Sequence, residues 1–159
     1  GNIRTDTGEA VGDISAAFSP LQGIRVPLER APSMIDEYPI LAAAAACAEG
    51  TTIFEGVSEL RLKESDRLSA MAEGLKTCEV EVRETQDSLT IIGKGKPPRG
   101  GGQIFANFDH RIAMAFLVLG MATANAIIVD DASTIDTSFP CFKELMNDLG
   151  ADLRASADQ

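Results

Sequence analysis

The sequence predicts an α/β fold built from a repeated β-α-β-α-β-β layer. Strand and helix patterns alternate along the middle of the chain, and the pattern returns about 74 residues later. The composition fits one folded domain, because 45% of the 159 residues are hydrophobic and 24% are charged. A disordered or collagen-like chain is therefore excluded.

The first copy of the layer occupies residues 23–92. Chain breakers bound its leading strand, an alanine-rich stretch follows as a helix that can pack closely, and one apolar stripe marks a second helix. The predicted elements are a strand at 23–27, a helix at 35–48, a strand at 51–56, a helix at 63–77, and strands at 79–82 and 89–92.

The second copy begins after a loop at 93–102, where glycine and proline disfavour regular structure. Its predicted elements are a helix at 109–122, a strand at 126–129, a helix at 139–149 and a closing strand at 151–155. Asp36 precedes its counterpart Asp109 by 73 positions, and Ile53 precedes Ile127 by 74. This copy lacks a leading strand. Residues 14–18 could supply a strand from the N-terminal end, so we expect the chain to be part of a longer array.

Charge and hydropathy exclude several classes of partner. The chain has 14 Lys and Arg against 24 Asp and Glu, which gives a net charge of -10 and repels nucleic acid and anionic membranes. The longest apolar stretch, 112–122, is roughly half of the about 20 residues that a membrane span needs. We expect a soluble protein in which any anionic ligand meets a local cationic pocket.

The cysteines and the N-terminus indicate a cytoplasmic location. Cys47, Cys78 and Cys141 are odd in number and widely spaced, so we expect buried thiols in a reducing compartment and neither a disulfide framework nor a metal site. No secretory signal pattern precedes them. We also expect no cofactor.

The densest cluster of chemically active residues is the stretch 61–67, at the predicted start of a helix. Free backbone N–H groups and the helix dipole favour an anion there. Lys63 and Arg67 are four apart and would share a face, while Glu64 could move a proton. The alternative is a capping segment with solvated charges.

A second candidate segment, 109–111, opens the next predicted helix. Asp109 is the expected N-cap. Arg111 stands in a first turn, where the dipole disfavours a cation unless an anion is shared, so a binding role is favoured. His110, the only histidine, suits either packing or a site equally well.

Asp36 heads the alanine-rich helix, where either Ser33 or Asp36 could act as a cap. Equivalent helix ends of a repeated layer gather at one edge, so we predict that Asp36, Glu64 and Arg111 converge. Carboxylates beside Lys and Arg side chains suit a multiply anionic substrate and proton transfer.

Four stretches together resemble the 5-enolpyruvylshikimate-3-phosphate synthase family. They are RAPSMIDEYPILA at 30–42, LKESDRL at 62–68, DHRIAM at 109–114 and TSFP at 137–140. The order and spacing agree along nearly the whole chain. The resemblance implies two lobes, each of three β-α-β-α-β-β units with helices inside and sheets outside, and residues 1–159 would be most of the C-terminal lobe.

The implied reaction moves the enolpyruvyl group of phosphoenolpyruvate onto the 5-hydroxyl of shikimate 3-phosphate, in aromatic amino acid biosynthesis. It proceeds by addition to a tetrahedral intermediate and then loss of phosphate. Both substrates are strongly anionic, and the N-terminal lobe absent from this chain would hold much of shikimate 3-phosphate.

The resemblance also implies roles for individual residues. Asp36 resembles the carboxylate that accepts the hydroxyl proton, and Glu64 the acid that protonates the methylene carbon. Lys63 would lie between the substrates. The further substrate-binding roles fall to Arg67 and Arg111, which would hold phosphoenolpyruvate, and to His110 and Asp109, which would support Arg111. Many members of the family have Lys where this chain has Thr137.

Two alternatives compete with this interpretation. A UDP-N-acetylglucosamine enolpyruvyl transferase shares the fold and chemistry but lacks the Lys-Glu-Ser-Asp-Arg motif. A folded, non-catalytic lobe that binds anions weakly is the second alternative for the chain in isolation, because catalysis requires two lobes to close on both substrates.

Overall fold

The computed structural model describes residues 1–155 as short strands and helices in alternation. The strands are β1 (Arg4–Asp6), β2 (Glu9–Val11), β3 (Glu49–Glu55), β4 (Glu81–Glu84), β5 (Ser88–Lys94), β6 (Gln103–Ile104) and β7 (Ile128–Val129). The α-helices are α1 (Ala31–Met34), α2 (Tyr38–Cys47), α3 (Arg67–Thr77), α4 (His110–Gly120), α5 (Ile135–Ser138) and α6 (Phe142–Asp148). Short 3-10 helices occupy Leu28–Arg30, Ile35–Glu37 and Ser58–Leu62.

The first layer follows the predicted β-α-β-α-β-β order, except that isolated bridges replace the leading strand predicted at 23–27. Its sheet has the strand order β3-β5-β4, and both pairings are antiparallel. The leading segment runs parallel along the other edge of β3, through bridges from Gln22 to Glu49 and from Arg25 to Ile53. Helices α2 and α3 pack against β5 and against each other.

The second layer contains the leading strand that the sequence analysis expected to be missing. β6 pairs in parallel with β7, and α4 lies between them in the chain. The N–H of Ile128 donates to Gly102 O as the N–H of Ile53 donates to Ile24 O. The counterpart of Ile53 is therefore Ile128, one residue beyond the predicted Ile127.

Three sequence predictions about elements are wrong. Residues 14–18 form no strand and are exposed; the N-terminal hairpin β1-β2 is exposed instead. Residues 151–155 form no closing strand, and a cleft of about 810 Å³ lies between them and β7. The helix predicted at 63–77 begins at Arg67, because Asp66 caps it by accepting the Ser69 N–H.

Three central helices form the core. α2 contacts α3, α4 and β5, so small side chains are needed on most of its surface, and its buried residues include Ala42, Ala43, Ala45 and Ala46. The rings of Tyr38 and Phe54 meet edge to face, with centroids 4.9 Å apart. No helix within residues 1–155 is long and apolar enough to cross a membrane.

We predict that Gly74→Ala destabilises the chain, although alanine normally favours a helix. A Cβ at Gly74 of α3 would lie 2.2 Å from Cζ of the buried Phe116 ring of α4. Overpacking of this kind costs about 1–3 kcal/mol in unfolding free energy, measurable by urea denaturation. The matched control is Gly120→Ala, because a Cβ there meets Ile127 at an ordinary 3.5 Å. Equal stability of the two variants would contradict the packing described for α3 and α4.

Candidate active site

Arg67 is the buried centre of a cluster of charged side chains. It is the first residue of α3, and its side chain is only 1% exposed. Its Nε donates to Asp109 Oδ2 at 2.7 Å, its Nη1 to Asp36 Oδ1 at 2.9 Å and its Nη2 to Glu64 Oε2 at 2.5 Å. Each nitrogen of the guanidinium therefore meets a carboxylate from a different segment of the chain.

Asp109 contacts Arg67 while it caps α4, as the sequence predicted. Its Oδ1 accepts the backbone N–H groups of Arg111 at 2.9 Å and Ile112 at 3.4 Å. Its Oδ2 accepts Arg67 Nε and the hydroxyl of Ser65, the latter at 3.0 Å. Asp109 is fully buried, so its carboxylate is enclosed by donors.

Asp36 does not cap the alanine-rich helix, and neither does Ser33, whose hydroxyl donates to the carbonyl of Arg30. Oδ1 of Asp36 lies between Arg67 and Lys63, whose Nζ is 3.5 Å away. Lys63 precedes α3 in extended backbone, so the prediction that Lys63 and Arg67 share a helix face is wrong. The two cations meet at one carboxylate oxygen instead.

Arg111 extends the cluster towards solvent. Its Nη1 donates to the backbone carbonyl of Asp36 at 2.8 Å and to Glu37 Oε1 at 3.0 Å. The predicted convergence of Asp36, Glu64 and Arg111 at one edge is confirmed, because Arg67 bonds to both carboxylates and Arg111 bonds to the backbone of Asp36.

Two residues that the sequence analysis named lie apart from these contacts. His110 opens α4 and is partly buried, and its imidazole makes no hydrogen bond or ion pair within residues 1–155. Thr137 lies in α5, where its hydroxyl donates to the carbonyl of Thr134 at 2.7 Å. The position that is Lys in many members of the family therefore supplies no cation here.

Sequence reasoning missed three members of the cluster. Glu37 binds Arg111, Glu59 lies 3.0 Å from Lys63, and Ser65 binds Asp109. The spacing of Glu59 and Lys63, four residues apart, is a signal that could have found this pair. Ser65 had no local signal, because its partner is 44 residues away in the chain.

The cations of the cluster are already paired with carboxylates. The cations are Lys63, Arg67 and Arg111, and the carboxylates are Asp36, Glu37, Glu59, Glu64 and Asp109. The sequence analysis expected carboxylates beside Lys and Arg side chains here, and the structure shows them paired directly. An anionic ligand would reach Arg67 by displacing Asp36 or Glu64, whose side chains are 45% and 52% exposed. No group of three or more His, Cys, Asp or Glu side chains in residues 1–155 is arranged to hold a metal.

The pairing keeps the buried charges ionised. Burial opposes the charged form of Asp36, but Lys63, Arg111 and Arg67 outweigh it, so the pKa of Asp36 lies below its usual value. Burial also opposes the charged form of Asp109, and the hydrogen bond and charge of Arg67 outweigh it, so that pKa is lowered too. The pKa of Arg67 is raised despite burial, chiefly by Asp109.

Comparison with known proteins agrees with the resemblance found in the sequence. Residues 4–146 match the family model of EPSP synthase (3-phosphoshikimate 1-carboxyvinyltransferase). The chain belongs to the EPSP synthase family. Its curated relatives are 3-phosphoshikimate 1-carboxyvinyltransferases, which favours this resemblance over the UDP-N-acetylglucosamine enolpyruvyl transferase alternative. The family membership also agrees with the α/β fold predicted from the repeated layers.

Curated relatives and solved structures of EPSP synthases cover nearly all of this chain. The chain is 60% identical over 148 residues to 3-phosphoshikimate 1-carboxyvinyltransferase of Paramagnetospirillum magneticum, covering 93% of this chain and 33% of the relative. The identity to the Caulobacter vibrioides enzyme is 55% over 152 residues, with coverage of 96% and 34%. The chain thus spans about a third of the length of these relatives.

The structure of the Acinetobacter baumannii EPSP synthase superposes closely on this chain. The TM-score is 0.93 at 42% identity, over 98% of this chain and 36% of the other. The enolpyruvyl transferase NikO from Streptomyces tendae is a more distant neighbour, with a TM-score of 0.58 at 25% identity over 75% of this chain and 26% of that one. The fold described for residues 1–155 is therefore that of a part of an EPSP synthase.

We predict that the stabilising effect of Asp36 in this chain disappears in acid. A carboxyl with a lowered folded-state pKa stabilises the fold fully above its unfolded pKa of about 3.9, and the contribution is lost as the pH falls through the folded value. The wild-type chain should be more stable than Asp36→Asn near neutral pH, with a difference that shrinks below about pH 4. Urea denaturation at several pH values measures this difference, and a difference that grows on acidification would contradict it.

Proposed function

We propose that this chain is most of the C-terminal lobe of a two-lobed EPSP synthase and that it supplies half of the active site. The enzyme would transfer the enolpyruvyl group of phosphoenolpyruvate to the 5-hydroxyl of shikimate 3-phosphate. The observation that carries the proposal is the convergence of Asp36 and Glu64 on Arg67, beside Lys63. The coverage of about a third of each relative supports a missing lobe.

The reaction needs one proton acceptor and one proton donor close to a bound anion. In the addition step, the 5-hydroxyl oxygen bonds to C2 of phosphoenolpyruvate and loses its proton, while C3 gains one. In the elimination step, C2 releases phosphate and C3 gives up a proton. Asp36 and Glu64 are the carboxylates proposed for these transfers, since both are bonded to Arg67 and half-exposed on one edge.

The charge pairing of the chain suggests how substrate prepares these carboxylates. In this chain Arg67 Nη2 donates to Glu64 Oε2 at 2.5 Å. A phosphate or carboxylate of phosphoenolpyruvate that takes over a nitrogen of Arg67 would release Glu64 to carry a proton. Asp36, which three cations keep ionised, is suited to accept the hydroxyl proton.

The remaining cations are proposed to bind the substrates. Lys63 would lie between the two anions and reduce their repulsion, and Arg111 would hold phosphoenolpyruvate with Arg67. Asp109 and His110 would support Arg111, Asp109 through the backbone N–H that it accepts. We place the enzyme in the cytoplasm, which is supported by three cysteines that are all free thiols.

A non-catalytic lobe is the second candidate for the chain in isolation. The observation that favours it is the pairing of Lys63, Arg67 and Arg111 with carboxylates of the same chain. Anionic substrates would have to compete with these partners in an open, water-filled half-site, where charge pairing is weak. We therefore expect low affinity for phosphoenolpyruvate without the other lobe.

We predict that a chimera restores activity and that Glu64→Gln removes it. In the chimera, this chain replaces the matched third of the Acinetobacter baumannii enzyme. Phosphate release from phosphoenolpyruvate and shikimate 3-phosphate should fall about 100-fold or more in Glu64→Gln, as for loss of an acid-base group. The matched control is Glu84→Gln, because Glu84 binds Arg61 at 2.8 Å outside the cluster and should leave turnover unchanged.

The isolated chain completes this test. It should unfold cooperatively by circular dichroism and release no phosphate, because it holds half of a cleft. A folded chimera without turnover would overturn the proposed function. Turnover by the isolated chain at the rate of the chimera would show that the other lobe is dispensable and would overturn the two-lobe account.

A further inference from the structure

We propose that Asp109 is a positioning residue, which fixes the guanidinium of Arg67 against Asp36 and Glu64 and joins it to the first turn of α4. This inference rests on the proposed function, because it assigns a role in holding phosphoenolpyruvate through Arg67. It differs from the expectation that Asp109 acts only by supporting Arg111. The evidence is the arrangement of donors around the Asp109 carboxylate and the backbone that leads to it.

Each group that contacts the Asp109 carboxylate within the described residues is a hydrogen-bond donor. Oδ2 accepts from Arg67 Nε and Ser65 Oγ, while Oδ1 accepts from two backbone N–H groups of α4. An ionised carboxylate offers only acceptors and satisfies both sides at once. An asparagine would turn its NH₂ group towards either Arg67 or the helix. On that side, the NH₂ donor would face the N–H donors of Arg67 or of α4, and no hydrogen bond could form. The site therefore requires an acid and not only a cap.

The backbone before Asp109 adopts a costly conformation that directs this side chain inward. Asn107 and Phe108 are consecutive non-glycine residues in the left-handed region, with φ of 53° and 60°. Such residues cost roughly 1 kcal/mol or more each. Burial of Phe108 does not offset the cost, because its side chain is exposed. In this turn the backbone N–H of Asp109 donates to the carbonyl of Ala106 at 3.0 Å, and the Asp109 carboxylate is buried against Arg67.

A second Asp–Arg pair in the chain shows which features are special to Asp109. Asp66 caps α3 and binds Arg61 at 2.7 Å, so it has the same two kinds of partner. Its side chain is 43% exposed, however, whereas that of Asp109 is 0% exposed. Arg61 binds carbonyls of the β4–β5 turn and belongs to the scaffold. The buried pair alone points its arginine at the candidate catalytic carboxylates.

The test compares Asp109→Asn with Asp66→Asn in the chimera. Loss of a charge-assisted hydrogen bond to Arg67 should raise the KM for phosphoenolpyruvate about tenfold or more. The KM for shikimate 3-phosphate should stay within about twofold, because Arg67 is proposed to hold phosphoenolpyruvate. A mere loss of folded enzyme would lower kcat and change neither KM. Asp66→Asn should leave both KM values within about twofold of the parent chimera. Equal changes in both KM values, or no change in either, would overturn the inference.

A double-mutant cycle tests whether Asp109 acts through Arg67. In an Arg67→Lys background, which lacks Nε, Asp109→Asn should produce no further rise in the KM for phosphoenolpyruvate. Additive effects of the two substitutions would overturn the inference. If Asp109→Asn does not fold, Ser65→Ala serves instead, because it removes one hydrogen bond from the same carboxylate. It should raise the KM for phosphoenolpyruvate about threefold and leave the KM for shikimate 3-phosphate unchanged.

A spectroscopic measurement separates this inference from the proposed function. In the 159-residue chain, the ¹⁵N–¹H signal of Arg67 Nε should exchange slowly with solvent, because that N–H is buried against Asp109. The protection should be lost in Asp109→Asn and kept in Asp66→Asn. An inactive chimera with this pattern would reject the proposed function and keep the positioning role. Protection that survives in Asp109→Asn would reject the positioning role, whatever the activity.

Discussion

The burial of one guanidinium, that of Arg67, determines how the charged edge of this chain is organised. A charge removed from water must be paired and hydrogen-bonded, otherwise its desolvation costs several kcal/mol. Arg67 meets this requirement with Asp36, Glu64 and Asp109, and each of them comes from a different part of the chain. The same contacts that make burial of Arg67 tolerable also bring the candidate catalytic carboxylates within reach of one ligand.

The repeated layer explains why two of these carboxylates face each other across Arg67. Asp36 precedes α2 in the first layer and Asp109 precedes α4 in the second, and the two helices pack together in the core. Arg67 begins α3, which contacts both helices. Packing of three helix starts at one edge therefore creates the cluster, and small residues such as Ala42 and Gly74 permit that packing.

Local sequence patterns were sufficient for most of the fold and for most of the charged cluster, although they missed Glu37, Glu59 and Ser65. Periodicity located α2, β3 and α4, and Asp109 was recognisable as a cap. The patterns could not show that α3 begins at Arg67, after its cap Asp66, and not at Lys63, because Ser58–Leu62 forms a 3-10 turn that shifts the start. β6 was missed because it has only two residues and is defined by its pairing with β7. Gln103 and Ile104 pair with Ile128 and Val129, 25 positions later in the chain.

Pairing between distant charges was also beyond the reach of sequence patterns. The helix-start argument predicted that Lys63, Arg67 and Arg111 would lie near carboxylates, but it could not show that an acidic side chain pairs with each of them. Which acid meets which base depends on contacts between segments up to 74 residues apart, as in the pair of Arg111 and Glu37. The resemblance to the family indicated the reaction. The structure showed which carboxylate pairs with which cation.

The free energy of unfolding of Arg67→Met tests most directly whether this buried guanidinium holds the edge together. Removing it leaves Asp109 buried without its charge partner, so the loss should be about 3 kcal/mol or more. Arg61→Met is the matched control, with a more exposed arginine and an expected loss of about 1 kcal/mol. Urea denaturation of both variants at neutral pH gives the comparison. A loss for Arg67→Met no larger than that for Arg61→Met would contradict the account.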